Sequence, residues 1–199
     1  MNMGKDGTGQ KADRKRGTVD LAVVIVFSAL IAIATFLSIK LPVPLGEITW
    51  APPIYMALSV LAGPLVGVEA TAVGSFVGES LNVALLGWPA IYAPGIVWAR
   101  APEALIIGWA RKRGAKTLAG AMVAATVFET LAFFFSDWAF YTYGLFGYTC
   151  ASGAVCANAT EAYVMASPDF LTMLDLAFIP VAFILIRAAR HSFSRLGYD

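Results

Sequence analysis

The segment PGIVWARAPEALIIGW (94–109) is apolar apart from Arg100 and Glu103. A full positive and a full negative charge stand three residues apart where the rest of the run is suited to lipid. Five further carboxylates interrupt apolar runs elsewhere: Glu69, Glu79, Glu129, Asp137 and Asp175. Ionisable groups inside membrane segments are costly, and they turn towards a bundle interior or a wet cavity. Such groups can grip a polar ligand, or they can pair among themselves to hold helices together. Arg100 with Glu103 has the i,i+3 spacing of a local pair. Trp98 and Trp138 share helices with these charges. Flat aromatic walls with a few charges suit a small heterocycle, and acids outnumber the single Arg100, which favours a cationic or donor-rich ligand. The remaining aromatics, Trp50, Tyr55, Trp88, Tyr92, Tyr141 and Tyr143, read chiefly as an interfacial belt.

The elements that must position these groups follow from composition. The 199 residues are 59% apolar and 14% charged, against ~25% charged in soluble domains. Mean hydropathy is +0.73. The chain reads as an all-α integral membrane protein of the cell membrane, multi-pass. A net charge of +1 gives no sign of a nucleic-acid partner. A helix needs ~20 residues to cross the hydrocarbon. Runs of about that kind fall at 19–40, 51–66, 67–87, 93–110, 117–142 and 168–190, giving six transmembrane helices. The second is short and meets the third through the turn AGPLVG (62–67).

Twelve of the 14 Lys and Arg residues lie in three segments: Lys5, Lys11, Arg14, Lys15 and Arg16; Arg111, Lys112, Arg113 and Lys116; Arg187, Arg190 and Arg195. Six spans put all three on one side, so both termini are expected to be cytoplasmic. Residues 1–18 read as a disordered basic tail without the pattern of a cleavable signal. Residues 19–190 form one six-helix substrate-binding domain, and 191–199 a second cytoplasmic tail. The outer loops are then 41–50, rich in Pro, and 143–167. The second holds Cys150, Cys156 and the sequon at Asn158, and an oxidising outside would favour a disulfide there. At ~1.5 Å of rise per residue, Arg100 and Asp175 lie about 10 Å below the outer surface, Glu79 about 12 Å, Glu103 about 15 Å and Glu129 about 20 Å. Asp137 is nearer that surface. Glu69 falls near the inner end and reads as interfacial.

The whole pattern resembles the substrate-binding S component of an energy-coupling factor (ECF) transporter, a family of vitamin and trace-nutrient importers. The likeness covers about residues 18–190. It rests on the turn Gly63-Pro64-Leu65-Val66-Gly67, on a third helix rich in small residues (Ala70, Ala72, Gly74, Ser75, Gly78), and on Pro94, Gly95, Arg100 and Gly108 in the fourth. The resemblance implies a pocket built from helices four to six and the first outer loop, which captures substrate from outside. It implies partners too: a coupling membrane subunit and two ATPase subunits, onto which the S component docks and topples. The family docks through an Ala-x-x-x-Ala face on the first helix. Ser28-x-x-x-Ala32, with Ala29 beside it, is the candidate here; small residues at that spacing also serve ordinary packing. No G-x-x-x-x-G-K-[ST] run is present, in keeping with a subunit that borrows its energy.

The expected substrate contacts are Glu79, Trp98, Arg100, Glu103, Glu129, Asp137, Trp138 and Asp175. The expected ligand is a vitamin-like compound, cationic or amino-bearing and aromatic, such as thiamine, its pyrimidine fragment or a deazapurine. No cofactor, metal site or catalytic residue is expected, and the sole His, His191, lies on the inner side. Two other readings remain open: an intramembrane enzyme using the buried carboxylates as acid and base, and a stand-alone secondary transporter. The first lacks a nucleophile or metal motif, and the second an evident internal repeat.

Overall fold

The structure is a computed structural model that describes residues 6–40, 47–150 and 152–198. It is helical throughout apart from one two-residue strand pairing. Helix α1 runs Asp6–Phe36; strands β1 (Ile39–Lys40) and β2 (Glu47–Ile48) follow; then come α2 (Pro52–Ala62), α3 (Pro64–Leu86), α4 (Tyr92–Ala110) and α5 (Ala115–Tyr143). A short helix α6 (Ala159–Ala166) leads through a 3-10 segment, Ser167–Phe178, into α7 (Ile179–Arg195). Helix α1 begins at Asp6 and so includes most of the stretch read from sequence as a tail. The tip of the Pro-rich loop, 41–46, lies outside the described residues.

Among the described residues, three helical stretches are long and apolar enough to cross a membrane: Arg16–Phe36, Ala115–Tyr143 and Ala159–Arg195. Helices α3 and α4 are long enough, but Gly, Ser, Thr and charged residues dilute their apolar content. Their packing accounts for this: α3 lies between α1 and α4, and α4 also packs on α5. Helix α2 has only 11 residues and nearly all of them are buried. It packs against α7, α3 and α4, and an apolar helix with no polar face belongs in such a position. Tyr55, Met56, Leu58, Ile31, Ile107 and Met122 are fully buried around it.

The break between α2 and α3 is a single residue, Gly63, at φ 98°. That is a backbone conformation glycine adopts without strain. The turn is where the sequence puts it, although α3 starts at Pro64, three residues ahead of the expected 67. Pro fits there because the first helical N–H has no intrahelical acceptor. The sixth span departs further from expectation. Instead of one α-helix over 168–190, it is a 3-10 segment through residue 178 and α-helix beyond.

The small-residue face of α1 turns inward. A Cβ on Gly74 would lie 2.7 Å from both Ile31 Cβ and the Ser28 carbonyl oxygen, and one on Gly78 would lie 2.6 Å from the Ala32 carbonyl oxygen. Ser28 also donates a hydrogen bond to the Ala70 carbonyl, at 3.3 Å. Ser28 and Ala32 are thus buried against α3, and this corrects their assignment as a docking surface. The close approach that small residues permit is used within the chain. Of the three, Ala29 alone is exposed. Gly78→Val should therefore force α1 and α3 apart. A cost of about 1–3 kcal/mol is expected for such overpacking, read as earlier thermal unfolding in detergent, whereas Ala29→Val should unfold like the parent.

Candidate functional site

Arg100 sits at mid-helix in α4, 4% exposed. Its guanidinium donates from Nε to Glu129 Oε1 at 3.0 Å, from Nη2 to Thr49 Oγ1 at 2.9 Å and from Nη1 to Thr35 Oγ1 at 3.4 Å. It also lies over the Tyr55 ring, 5.9 Å from its centroid. One side chain therefore ties together α1, α2, α5 and the residue that follows β2. A planar fork of five donors is suited to this task in a way an ammonium is not.

Glu103 does not pair with Arg100. It lies one helical turn further from the α4 N-terminus, fully buried. Tyr55 donates to its Oε2 at 2.5 Å and Thr126 to its Oε1 at 3.2 Å. The local i,i+3 pair suggested by spacing is replaced by contacts between helices, because both side chains point into the bundle. Tyr55, read as a belt residue, is likewise fully buried. Asp175, 6% exposed, stands within electrostatic reach of Glu129 and Arg100. Four of the expected residues thus converge: Arg100, Glu103, Glu129 and Asp175.

Above this cluster is a cavity, at the end of the bundle where α3 and α5 finish and α4 begins. It is open at its mouth and has room for about 100 Å³ of water-sized occupants. Arg100, Glu79, Glu47 and Thr49 contribute polar groups, Trp88, Tyr92, Phe133 and Tyr141 aromatic surface, and Asp137, Asp169 and Thr172 further oxygen atoms. Asn82 donates from Nδ2 to Glu79 Oε2 at 3.0 Å and to Glu47 Oε2 at 3.4 Å, and Ser38 donates to Glu47. The β1–β2 pairing, Lys40 opposite Glu47, holds this first loop against the cavity. Thr130 and Thr172 hydroxyls meet at 2.7 Å and join α5 to the 3-10 segment. Acids outnumber Arg100 in the lining, so the cavity is rich in acceptors. Among the described residues, no group of three or more His, Cys, Asp or Glu is placed to hold a metal.

The long loop closes over one side. Cys150 and Cys156 are disulfide-bonded, with Cα atoms 5.1 Å apart. Tyr148, two residues ahead of the bridge, donates to Asp137 Oδ1 at 3.3 Å and packs against the rings of Tyr92, Phe140 and Tyr141. Burial, and then the neighbouring Asp137, raise the Tyr148 phenol pKa well above its ordinary value, so it stays a neutral donor. Asn158 caps α6, accepting from the Glu161 N–H at 2.9 Å.

The two tryptophans are elsewhere. Trp98 is 66% exposed, on the outward face of α4. Trp138 donates from Nε1 to the Ala159 carbonyl at 3.0 Å and stacks on Phe134, fastening α6 to α5. Neither lines the cavity. The aromatic walls come instead from Trp88, Tyr92, Phe133 and Tyr141, and the acids Glu47 and Asp169 had not been expected there. Proximity of Trp88 and Tyr92 to a helix start, beside Thr49 and Glu47 on the other loop, was the available signal.

The family described as ECF-type riboflavin transporter, S component, matches residues 15–188. No curated protein and no solved structure matches the chain.

Proposed function

Since the chain belongs to the ECF-type riboflavin transporter S component family, and is thereby an integral membrane substrate-binding subunit, we propose that it captures a riboflavin-type compound from outside. The compound then passes to a coupling membrane subunit driven by two ATPases. In this reading six spans cross the bilayer with both termini inside, α2 being a buried short one, and residues 19–190 form the binding domain. The distribution of Lys and Arg supports that orientation.

The observation that carries the proposal is the acceptor-rich cavity with aromatic walls. A flavin offers a flat ring for Trp88, Tyr92, Phe133 and Tyr141, and a ring N–H and a polyhydroxyl chain as donors to Glu47, Glu79, Asp137 and Asp169. This satisfies the surplus of acids without a cationic ligand. Flavin fluorescence is quenched on aromatic stacking, so titrating riboflavin against purified protein gives a direct reading. Saturable quenching is expected. Saturable binding of thiamine in a parallel protein-fluorescence titration, with none for riboflavin, would overturn the flavin assignment in favour of a cationic ligand.

A further inference from the structure

At the other end of the bundle, a second cavity lies between the end of α2, the turn after α4, and α7. Its lining is Val60, Leu61, Ile186 and Phe193 with four cations, Arg111, Lys112, Arg113 and Arg190. Ser194 and Tyr198 complete it. Among the described residues none of the four cations forms an ion pair. The carboxylate at the edge, Asp20, accepts a hydrogen bond from Tyr198. Arg111 lies over the α2–α3 turn: a Cβ on Gly63 would lie 2.5 Å from its Nη1. Ile186, Arg190 and Phe193 recur at helical spacing and share one face of α7.

Tyr92, at the start of α4, lines the substrate cavity, while Arg111 follows the end of the same helix. The helix between them spans roughly 28 Å, close to the ~30 Å of the hydrocarbon core. The cationic cavity therefore lies at the opposite membrane face, at headgroup depth. Apolar residues supply its inner wall and guanidinium groups its mouth, and guanidinium forks match phosphate oxygens bidentately.

We propose that this cavity is a binding site for the phosphate headgroup of an anionic phospholipid, with the glycerol and upper acyl carbons against Val60, Leu61, Ile186 and Phe193. The charge balance selects against zwitterionic lipids, since among the described residues four cations are met by no acid in the lining. The site is separate from the substrate cavity, and the proposal stands whether or not the ligand there is a flavin.

Native mass spectrometry of the full chain in detergent tests it, with phosphatidylglycerol or phosphatidylcholine added in series. Phosphatidylglycerol should be retained at a concentration at least tenfold lower. Arg190→Gln and Arg113→Gln should each weaken its retention about fivefold. Arg187→Gln, which removes an equal charge from α7 outside the cavity, should leave retention unchanged. Both cavity variants should still bind substrate, which shows that they fold. Equal retention of the two lipids, or an equal loss on Arg187→Gln, would mean diffuse surface charge and overturn the site. Displacement by millimolar glycerol 3-phosphate would mean a soluble anion and overturn the lipid assignment. Unchanged retention in both Arg190→Gln and Arg113→Gln would mean that the cavity does not hold the headgroup and overturn the site as well.

Discussion

Arg100→Met should destabilise the protein by about 3–5 kcal/mol, the usual result of removing one partner from a buried ion pair. Glu129 would keep its charge in a fully buried position and lose its 3.0 Å partner. Thr35 and Thr49 would lose their donor, and Asp175 its nearest cation. The double variant Arg100→Met/Glu129→Met should recover much of that stability, because replacing both members of a buried pair with apolar groups is often close to neutral. Ligand retention should not recover, because Arg100 also lines the cavity. Thermal unfolding in detergent, measured beside substrate binding, separates the two outcomes. Unfolding of Arg100→Met at the parent temperature would mean that the guanidinium does not hold the bundle together.

Glu79→Gln should leave the fold intact and weaken substrate binding by roughly 10–100-fold. A hydrogen bond to a charged group contributes about 1.5–3 kcal/mol, which is a factor of that order in affinity. The amide keeps the shape and one acceptor, and Asn82 can still reach it at the 3.0 Å it spans now. The charge offered to ligand donors is what disappears. Trp98→Ala is the matched comparison: the residue is 66% exposed and lines no part of the cavity, so binding should be unchanged. Equal losses in the two variants would show that the cavity does not hold the ligand.

Position along the chain was readable from the sequence; rotation about each helix axis was not. The runs that became α3, α4 and α5 and the glycine turn follow from hydropathy and rise per residue. The difference of about 10 Å in depth read for Arg100 and Glu129 did not foretell that their side chains meet at 3.0 Å. In a soluble bundle, polar residues mark the outer face and fix the rotation. In lipid both faces are apolar, so Trp98 outside and Tyr55 inside look alike in sequence. The same ambiguity covers Ser28 and Ala32, whose spacing suits an external partner as well as α3. Charge removes it: Arg100, Glu103, Glu129 and Asp175 had to turn inward, and they did. Glu47 was missed because it sits outside the spans and Asp169 because it stands at the very start of the sixth, where a carboxylate normally needs no explanation.

The 3-10 segment makes one wall of the cavity beside Arg100 unlike the others. Pro168, Asp169, Leu171 and Thr172 all belong to it. A 3-10 helix rises about 0.5 Å more per residue than an α-helix, so over its 12 residues this wall holds a length reserve of about 6 Å. Its i→i+3 bonds are also poorly aligned, and runs this long are uncommon. Its amides should therefore exchange with deuterium well before those of α3 and α4. The breathing of the cavity is then confined to one side: three walls keep time with the whole bundle, and the fourth fluctuates on its own.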